Sequence, residues 1–253
     1  MHSYDDVFYE YINIGSVKSA RVVIPYISEI INVSSVLDVG CGQGAWLSIW
    51  EDQDDIEVVG LDGGYVNSER LMIDERNFFS IDVSEKFDLN KRFSLCQCLE
   101  VAEHIKEEYS DTLIRNLCIH SDVVLFSAAS VGQGGENHVN EKPYSYWKNK
   151  FHSNGYDMFD PIRSRLVKHN EVEVWYKNNI FIFVKNGTKY SNILSDFKVE
   201  SDDDIKDYAS LTNRSIKFFI RLFPVRIMTF IAIFKKHIFV IIYKIKRHLN
   251  VSY

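Results

Sequence analysis

The chain has 253 residues, of which 46% are hydrophobic and 25% are charged, a composition typical of a folded globular protein. Its net charge of −6 is unevenly distributed: residues 1–207 carry 20 basic and 35 acidic side chains, whereas residues 208–253 carry nine basic ones and no acidic ones. The acidic body argues against a nucleic acid backbone as its ligand, and the first residues have neither the basic start nor the apolar core of a signal peptide.

Strand-like and helix-like segments alternate between residues 16 and 184, which predicts a doubly wound, mostly parallel α/β sheet with helices on both faces. A first helix is expected over Ser16–Ile31, where apolar residues recur at helical spacing. Further helices are expected after Gly44, over Ile105–Cys118 and over Tyr144–Asn154. The predicted strands are Ser35–Val39, Glu57–Leu61, Phe78–Ile81, Phe93–Leu99, Val123–Ala128 and a hairpin of Val172–Tyr176 with Ile180–Val184 around Lys177-Asn178-Asn179.

Two segments follow the predicted domain of residues 1–190. Residues 191–207 are polar and acidic, which indicates a linker. Residues 208–253 alternate basic and bulky apolar side chains and predict a basic amphipathic helical tail that is divided at Pro224. Its apolar runs are shorter than the roughly 20 residues that span a bilayer. Two roles stay open for the tail: peripheral contact with an anionic membrane surface, or packing and self-association.

The turn after the first strand carries most of the functional information. The sequence reads Val36-Leu37-Asp38-Val39-Gly40-Cys41-Gly42-Gln43-Gly44, and a helix is expected to begin near Ala45. Glycines allow positive φ and close approach of the backbone to a ligand, and a helix N-terminus offers free N–H groups. Asp38 suits a cationic group such as an ammonium. Asp62 ends the next strand 24 residues later, where a carboxylate can accept ribose hydroxyls.

An ammonium and a ribose together describe S-adenosylmethionine (AdoMet), and these motifs resemble those of the class I AdoMet-dependent methyltransferases. A nicotinamide site would instead read G-x-G-x-x-G. The resemblance implies a Rossmann-like, seven-stranded sheet of five parallel strands with an antiparallel terminal hairpin. The cofactor-binding residues that it implies are Asp38, Gly40, Cys41 and Gly42 for the methionine part, Asp62 and Gly63 for the ribose, Asp82 and Val83 for the adenine, and Leu99 and Glu100 beside them. For Asp82 the alternative is a helix cap with Ser84 and Glu85.

The end of the fourth strand holds two carboxylates and an imidazole, Glu100, Glu103 and His104, and in the family this edge faces the transferred methyl group. Three interpretations stay open. His104, Glu103 and the later His138 are catalytic, with a histidine as general base. Alternatively, these three residues and Glu100 hold a divalent metal ion, or they cap and fix the loop. A base is not strictly required, because positioning alone accelerates methyl transfer.

The segments after the fifth strand resemble a subgroup of bacterial methyltransferases from surface-polysaccharide (capsule or lipopolysaccharide) clusters. The resemblance covers about Tyr9 to Val184 and departs at Ser130-Val131, where the subgroup has Ile-Pro. It implies O-methylation of a glycan precursor, at a sugar hydroxyl or at a phosphate- or phosphoramidate-type group. The motifs are Phe126-Ser127-Ala128-Ala129, Gly132-Gln133-Gly134-Gly135, His138-Val139-Asn140-Glu141, Tyr146-Trp147, Asp160-Pro161-Ile162-Arg163 and Trp175-Tyr176-Lys177-Asn178-Asn179.

The glycine-rich segment 132–135 is expected to close over the substrate and to place His138 and Asn140 near the methyl group. Arg163 and Arg165 are expected either to pair with an anionic group of the acceptor or to lie solvated on the surface. The expected partner is a small-molecule or glycan-precursor acceptor and not a nucleic acid. Two other functions stay open: a non-catalytic AdoMet-binding scaffold docked by the tail, and RNA methylation, which the acidic body opposes.

The four cysteines lie in the glycine turn and in apolar segments, at Cys41, Cys96, Cys98 and Cys118. This distribution is typical of a reduced, cytosolic protein and not of a disulfide framework. We therefore expect a cytoplasmic protein, peripheral to the inner face of the membrane if its tail binds lipid.

Overall fold

The structure, a computed structural model, describes residues 6–53, 55–206 and 208. Its strands are β1 Ser35–Val39, β2 Glu57–Asp62, β3 Phe78–Ser80, β4 Leu95–Leu99, β5 Val123–Ser127, β6 Tyr156–Phe159 and β7 Phe181–Lys185. They form one sheet in the order β3-β2-β1-β4-β5-β7-β6. Strands β1 to β5 are parallel, β7 is antiparallel to β5, and β6 is antiparallel to β7. The predicted seven-stranded, Rossmann-like sheet is therefore confirmed.

Seven α-helices and several short 3₁₀ turns connect these strands within the described residues. The α-helices are α1 Asp6–Ser28, α2 Ala45–Glu51, α3 Ser110–His120, α4 Tyr144–His152, α5 Arg163–Leu166, α6 Val174–Asn179 and α7 Lys189–Ile193. The 3₁₀ turns are Ser68–Arg70, Glu75–Asn77, Ala102–His104, Glu107–Tyr109, Ser195–Phe197 and Asp202–Asp204. One of these turns, Glu107–Tyr109, replaces the first part of the helix predicted from Ile105, so that α3 begins at Ser110.

The core has two layers, one on each face of the sheet. Helices α1 and α2 cover one face with Ile24, Ile27 and Trp50, while α3 and α4 cover the other with Leu117 and Phe151. Strands β4 and β5 are buried along their whole length, as expected for parallel strands covered on both faces. The apolar runs of the sequence therefore become the central strands.

The chain reverses its direction of travel across the sheet at β1, whose neighbours are β2 and β4. In open parallel sheets this reversal leaves a crevice outside the carboxyl ends of the strands, where ligands bind. The glycine turn after β1 and the acidic segment after β4 both lie at that edge. The topology therefore brings together the two segments that the sequence singled out.

The predicted terminal hairpin is wrong in its first strand. Val174–Asn179 forms α6, and the antiparallel partner of β7 is β6, with Met158 opposite Phe183. The β-branched residues around position 173 favoured a strand, but tertiary packing overrides that preference. Helical spacing buries Tyr176 and Asn179 on one face of α6, which an extended segment would place on opposite faces.

The predicted linker of residues 191–207 packs against the domain over its first part. Leu194 and Val199 are buried, and the N–H of Val199 donates to the carbonyl oxygen of Met158 at 2.9 Å. The predicted tail lies outside the described residues except for Tyr208, whose ring lies 5.3 Å from the guanidinium of Arg163. In the part of the chain that the structure describes, no helix combines the length and the apolar character needed to cross a membrane.

Candidate functional site

The glycine turn after β1 adopts a backbone conformation that favours glycine. Gly40, Gly42 and Gly44 have φ angles of +83°, +57° and +84°. The N–H of Gly40 donates to the carbonyl oxygen of Leu61 at 2.7 Å, which fixes the turn on the edge of β2. A Cβ atom on Gly40 would lie 2.4 Å from Val101, whereas one on Gly42 would meet no atom within 4 Å. Gly40 is therefore required for packing, and the space at Gly42 is open to a ligand.

A cavity of about 410 Å³ separates this turn from the end of β4, a size within the range of small-molecule sites. Cys41, Leu99 and the nearly fully buried Asp38 line it. Burial raises the pKa of Asp38 to about 7, and the charge of Asp62 adds to the rise, against the opposing effect of the Gln97 amide. A cation beside Asp38 would stabilise its charged form, so that this carboxylate suits the predicted ammonium.

Asp62, the predicted ribose ligand, holds the turn together in this structure. Its Oδ2 accepts a hydrogen bond from the N–H of Gly42 at 2.7 Å, and its Oδ1 accepts from the N–H of Gly63 at 2.6 Å. The hydroxyl of Tyr65 also donates to Oδ1, at 2.5 Å. A ribose hydroxyl at Asp62 would therefore share or replace the Tyr65 bond, a competitor that the sequence did not reveal.

A second cavity, of about 450 Å³, lies beyond Gly63 and is lined in part by Asp82 and Val83. Asp82 is exposed, and its Oδ1 accepts hydrogen bonds from the N–H and the hydroxyl of Ser84 at 3.0 and 2.6 Å. Asp82 therefore caps a turn with Ser84 and not the helix of the alternative prediction, and it also faces the predicted adenine cavity. His104 lines both cavities and stands between them.

The two carboxylates after β4 have different surroundings. Glu100, at a φ of +55°, accepts hydrogen bonds from Gln133 Nε2 at 3.0 Å and from Asn179 Nδ2 at 3.1 Å. Glu103 is fully buried, and neither of its carboxylate oxygens has a hydrogen-bond partner among the described residues. Burial, together with the charge of Glu100, raises the pKa of Glu103 well above its usual range. Glu100 therefore joins neighbouring segments, whereas Glu103 retains its full capacity to bind a further group.

His104 and His138 meet beside Glu103 although they are 34 positions apart in the chain. Their rings are edge to face with centroids 4.8 Å apart, and ligand atoms of all three residues lie within 4.8 Å of one another. His104 is exposed in the structure, but desolvation of its ring by the surrounding protein, and then the charge of His138, lower its pKa to about 4. The His104 ring is therefore neutral near pH 7, as a general base or a metal ligand must be.

Glu141 organises the glycine-rich loop around His138. Its carboxylate accepts from the N–H groups of Gly132 and Gly134 at 2.8 and 2.7 Å, and it contacts His138 Nδ1 at 2.9 Å. Burial alone would raise the pKa of Glu141, but these hydrogen bonds bring it below its ordinary value. Asn140 is buried and donates to Ser110 Oγ at 3.0 Å, so that it anchors the loop away from the predicted position near the methyl group.

A comparison with protein families matches residues 18–178 to the family described as methyltransferase domain. This chain belongs to that family. A comparison with curated protein sequences gives no significant match. The matched range contains the glycine turn, the Glu103–His104–His138 cluster and most of α6.

Solved structures with a similar fold support the assignment of this methyltransferase domain. The methyltransferase domain of bacterial CtHen1-C has a TM-score of 0.52 and 18% identity, over 68% of this chain and 98% of that chain. An O-methyltransferase family protein from Burkholderia thailandensis has a TM-score of 0.50 and 9% identity, over 66% of this chain and 57% of that chain. Identities this low show the fold alone. Together, family and fold indicate an AdoMet-dependent methyltransferase.

The residues of the turn fit AdoMet by two observations in this methyltransferase. Asp38 is a buried acid, and among the described residues no cation stabilises its charged form. The ammonium group of AdoMet would provide that cation. The space next to Gly42 is open, so that a ligand can approach the backbone there. Asp62 fits less simply, because it already accepts three hydrogen bonds.

The Glu103–His104–His138 cluster also fits a divalent cation. The two orphaned oxygens of Glu103 and the neutral ring of His104 provide a mixed oxygen and nitrogen donor set. Of the four predicted metal ligands, Glu100 does not join this cluster, because amide groups of Gln133 and Asn179 engage its carboxylate.

The structure does not place Arg163 and Arg165 at an acceptor site. Arg163 is buried, pairs with Asp160 at 2.7 Å and donates to the carbonyl oxygen of Asn178. Arg165 pairs with Glu29 at 2.8 Å and lies over the ring of Tyr26. Both arginines therefore stabilise the packing of α5, and the prediction that they bind an anionic acceptor is wrong.

Sequence reasoning missed several residues of the cavity wall that come from α1 and α6. Asn13 and Ser16 lie on α1, while Trp175 and Tyr176 lie on α6. The hydroxyls of Ser16 and Tyr176 are 3.2 Å apart, which joins the two helices across the cavity. The sequence offered no direct signal for this contact, since the two residues are 160 positions apart and α6 was predicted as a strand.

Proposed function

We propose that this chain is an AdoMet-dependent O-methyltransferase that acts on a hydroxyl group of a small acceptor. The observation that supports this function best is the Glu103–His104–His138 cluster, which shares one cavity with the glycine turn. Methyl transfer to oxygen is accelerated by a group that accepts the proton of the acceptor hydroxyl at the place where the methyl group arrives. A neutral histidine at this edge of the sheet is such a group.

In this proposal, the glycine turn and the strand ends hold the cofactor. Asp38, Gly40, Cys41 and Gly42 bind the methionine part, and Asp62 with Gly63 binds the ribose after the Tyr65 bond is shared or displaced. Asp82 and Val83 face the adenine, and Leu99 and Glu100 border the reacting end. When bound, AdoMet supplies a methyl group activated by its positively charged sulfur. The remaining chemistry belongs to the side chains after β4 and in the loop.

Two versions of that chemistry follow from the cluster. In the first, His104 or His138 accepts the proton of the acceptor hydroxyl, and Glu141 orients His138 through its Nδ1 contact. In the second, Glu103, His104 and His138 hold a divalent cation that binds the hydroxyl oxygen and favours loss of its proton. Glu103 distinguishes the versions, because a cation gives its orphaned oxygens a partner.

We further propose a glycan precursor of surface-polysaccharide biosynthesis as the acceptor class. Support for this class comes from the motifs after β5, including the glycine-rich loop and His138-Val139-Asn140-Glu141, which resemble the polysaccharide-cluster subgroup. RNA methylation is a weaker alternative, because residues 1–207 carry 15 more acidic than basic side chains. A non-catalytic scaffold is favoured by one observation, the Tyr65 hydroxyl on the predicted ribose ligand.

Methyl transfer from radiolabelled AdoMet to a panel of sugars, sugar phosphates and short RNAs tests the proposal. We expect transfer to a hydroxyl of a sugar-type acceptor, and a loss of about 100-fold or more in His104→Ala and His138→Ala. The matched control is His152→Ala, which removes an exposed histidine on α4. Chelator treatment separates the two versions, since only the cation version loses activity. Unchanged turnover in both histidine variants would contradict both the version with a histidine as general base and the version with a bound cation.

A further inference from the structure

A groove on the outer side of α1 lies next to the catalytic cavity and belongs to neither cofactor region. It has a volume of about 590 Å³, and we call it the α1 groove. Helix α1 contributes Ile14, Val17, Lys18 and Arg21 to it, and the segment after β2 contributes Arg70 and Met72.

The α1 groove is continuous with the wall of the catalytic cavity. Asn13 and Gln43 line both spaces, and Asn13 Nδ2 donates to Gln43 Oε1 at 2.6 Å. Gln43 is itself a residue of the glycine turn, so that the groove begins where the methionine part of the cofactor is proposed to lie. A molecule in the groove can therefore extend one end into the cavity that contains His104 and His138.

The charge of the groove is opposite to that of the domain. Among the described residues, Lys18, Arg21 and Arg70 line the groove and no acidic residue does, although the first 207 residues have a net charge of −15. Glu173 is half-buried against Gly15; burial raises its pKa, and the charges of Lys177 and Lys18 oppose that rise. Lys18 and Arg21 are exposed and form no ion pair with any described residue. Such cations are available to an anionic ligand.

The apolar side chains of the groove add a second requirement. Ile14 and Met72 are each 39% exposed, which is more than their packing neighbours on α1. Guanidinium and ammonium groups bind phosphate oxygens through charge-assisted hydrogen bonds, and exposed apolar side chains gain from contact with a ring or an alkyl group. The two features together describe a ligand with a phosphate group beside an apolar portion.

We propose that the α1 groove binds the phosphate group of the methyl acceptor. The acceptor is then a phosphate-bearing molecule whose hydroxyl enters the catalytic cavity while its phosphate lies on Lys18 and Arg21. This inference rests on the proposed function and specifies its acceptor class. It also relocates the anion site, because the sequence-based candidates Arg163 and Arg165 are engaged in structural contacts.

Calorimetric titration of the full chain with phenyl phosphate, and with phenol as the uncharged control, tests this site. Arg21→Glu reverses one charge in the groove, and Arg115→Glu makes the same change at an exposed position on α3, on the opposite face of the sheet. We expect phenyl phosphate to bind the wild type and Arg115→Glu with similar affinity, and to bind Arg21→Glu at least tenfold more weakly. Phenol should bind all three proteins equally weakly.

Three results would overturn the proposal: no binding of phenyl phosphate to the wild type, equal losses in both variants, or a loss of S-adenosylhomocysteine affinity in Arg21→Glu with phenyl phosphate binding unchanged. The last result would assign the groove to the carboxylate of the methionine part. Titrations with S-adenosylhomocysteine run separately on each protein. They report failure of the proposed cofactor site independently of the result for the groove.

Discussion

The cofactor half of the site and its acceptor half are built in different ways. The cofactor half consists of the glycine turn and the strand ends between Asp38 and Val83. It is built from backbone positions and one buried acid, Asp38, whose charged form no cation stabilises among the described residues. The acceptor half consists of Glu103, His104, His138 and the loop that Glu141 holds. Glu103 is buried, His138 and Glu141 contact each other, and His104 lies exposed beside them. The first half is complete only with a cationic ligand, whereas the second is preorganised without one.

Because the two halves differ in this way, we expect mutations to change cofactor affinity and turnover separately. Changes in the cofactor half should weaken binding of S-adenosylhomocysteine, and changes in the acceptor half should lower turnover with that affinity intact.

The largest effect is expected for Asp38→Asn. The substitution removes the buried charge that the ammonium would pair with, so that affinity for S-adenosylhomocysteine should fall by about 100-fold or more. Without ligand, the variant should instead be more stable than the wild type near pH 8, by on the order of 2 kcal/mol. Calorimetry measures the first effect and thermal unfolding the second.

The pH dependence of stability follows from the sign of the Asp38 shift. Because the folded pKa is raised to about 7, the folded wild type binds the proton more tightly, and this contribution is lost as the pH rises from about 4 through 7. Asp38→Asn should flatten the melting temperature over this interval, whereas the exposed control Asp196→Asn should not. If the melting temperature of Asp38→Asn changed with pH in the same way as that of the wild type, this result would contradict a buried Asp38 with a raised pKa.

Gly40→Ala should destabilise the fold by about 3 kcal/mol. A Cβ atom there would lie 2.4 Å from Val101, and the φ of +83° strains any residue with a side chain. Adding Val101→Ala should restore about 1–2 kcal/mol of the free energy of unfolding. It removes the contact between the new Cβ atom and Val101, whereas the backbone strain from the positive φ at position 40 remains. Denaturant unfolding measures both steps, and a double variant no more stable than the single one would refute this cause.

Gly135→Ala should lower turnover about tenfold while S-adenosylhomocysteine affinity changes less than twofold. A Cβ atom at Gly135 would lie 2.2 Å from His138 Nε2, which forces the imidazole to rotate away from its contact with Glu141. Combining the change with His138→Ala provides the control, because the effect should vanish when the ring is absent. Additive losses in the double variant would show that Gly135 acts elsewhere.

Asp82→Asn should have the smallest effect, a two- to fivefold loss of S-adenosylhomocysteine affinity. Asp82 is exposed, and the amide oxygen of the variant can still accept the hydrogen bonds from Ser84. The substitution therefore weakens only the contact with the adenine, which is exposed to solvent. Calorimetry under the conditions used for Asp38→Asn measures it. A loss comparable to that of Asp38→Asn would show that the adenine end dominates binding, contrary to the comparison drawn above.

The sequence predicted the cofactor half well because its information is local. Asp38, Gly40 and Gly42 lie within five positions, and the ends of parallel strands meet at one edge whatever the loops between them do. The turn therefore fixes both the backbone conformation and its place in the sheet. Competition by Tyr65 at Asp62 could not be foreseen, since it depends on how one exposed loop side chain folds back.

The acceptor half could be predicted only in part because its contacts are distant in the chain. Glu103, His104 and His138 were recognised as chemical groups, but their meeting depends on the loop that Glu141 orders. Interpretation of α6 as a strand removed Tyr176 from the site. Arg163 was expected either to bind an anionic acceptor or to lie solvated, because the sequence does not show that Asp160 is its partner. Burial and pairing of such groups are decided by tertiary packing, which single-sequence patterns do not contain.

The most direct test of the central claim is calorimetric titration of the purified full chain with AdoMet, S-adenosylhomocysteine and, as a control, NAD. We expect AdoMet and S-adenosylhomocysteine each to bind at one site per chain, and NAD not to bind. Failure of both AdoMet forms to bind, or binding of NAD in their place, would contradict the assignment of the glycine turn and its cavity to AdoMet.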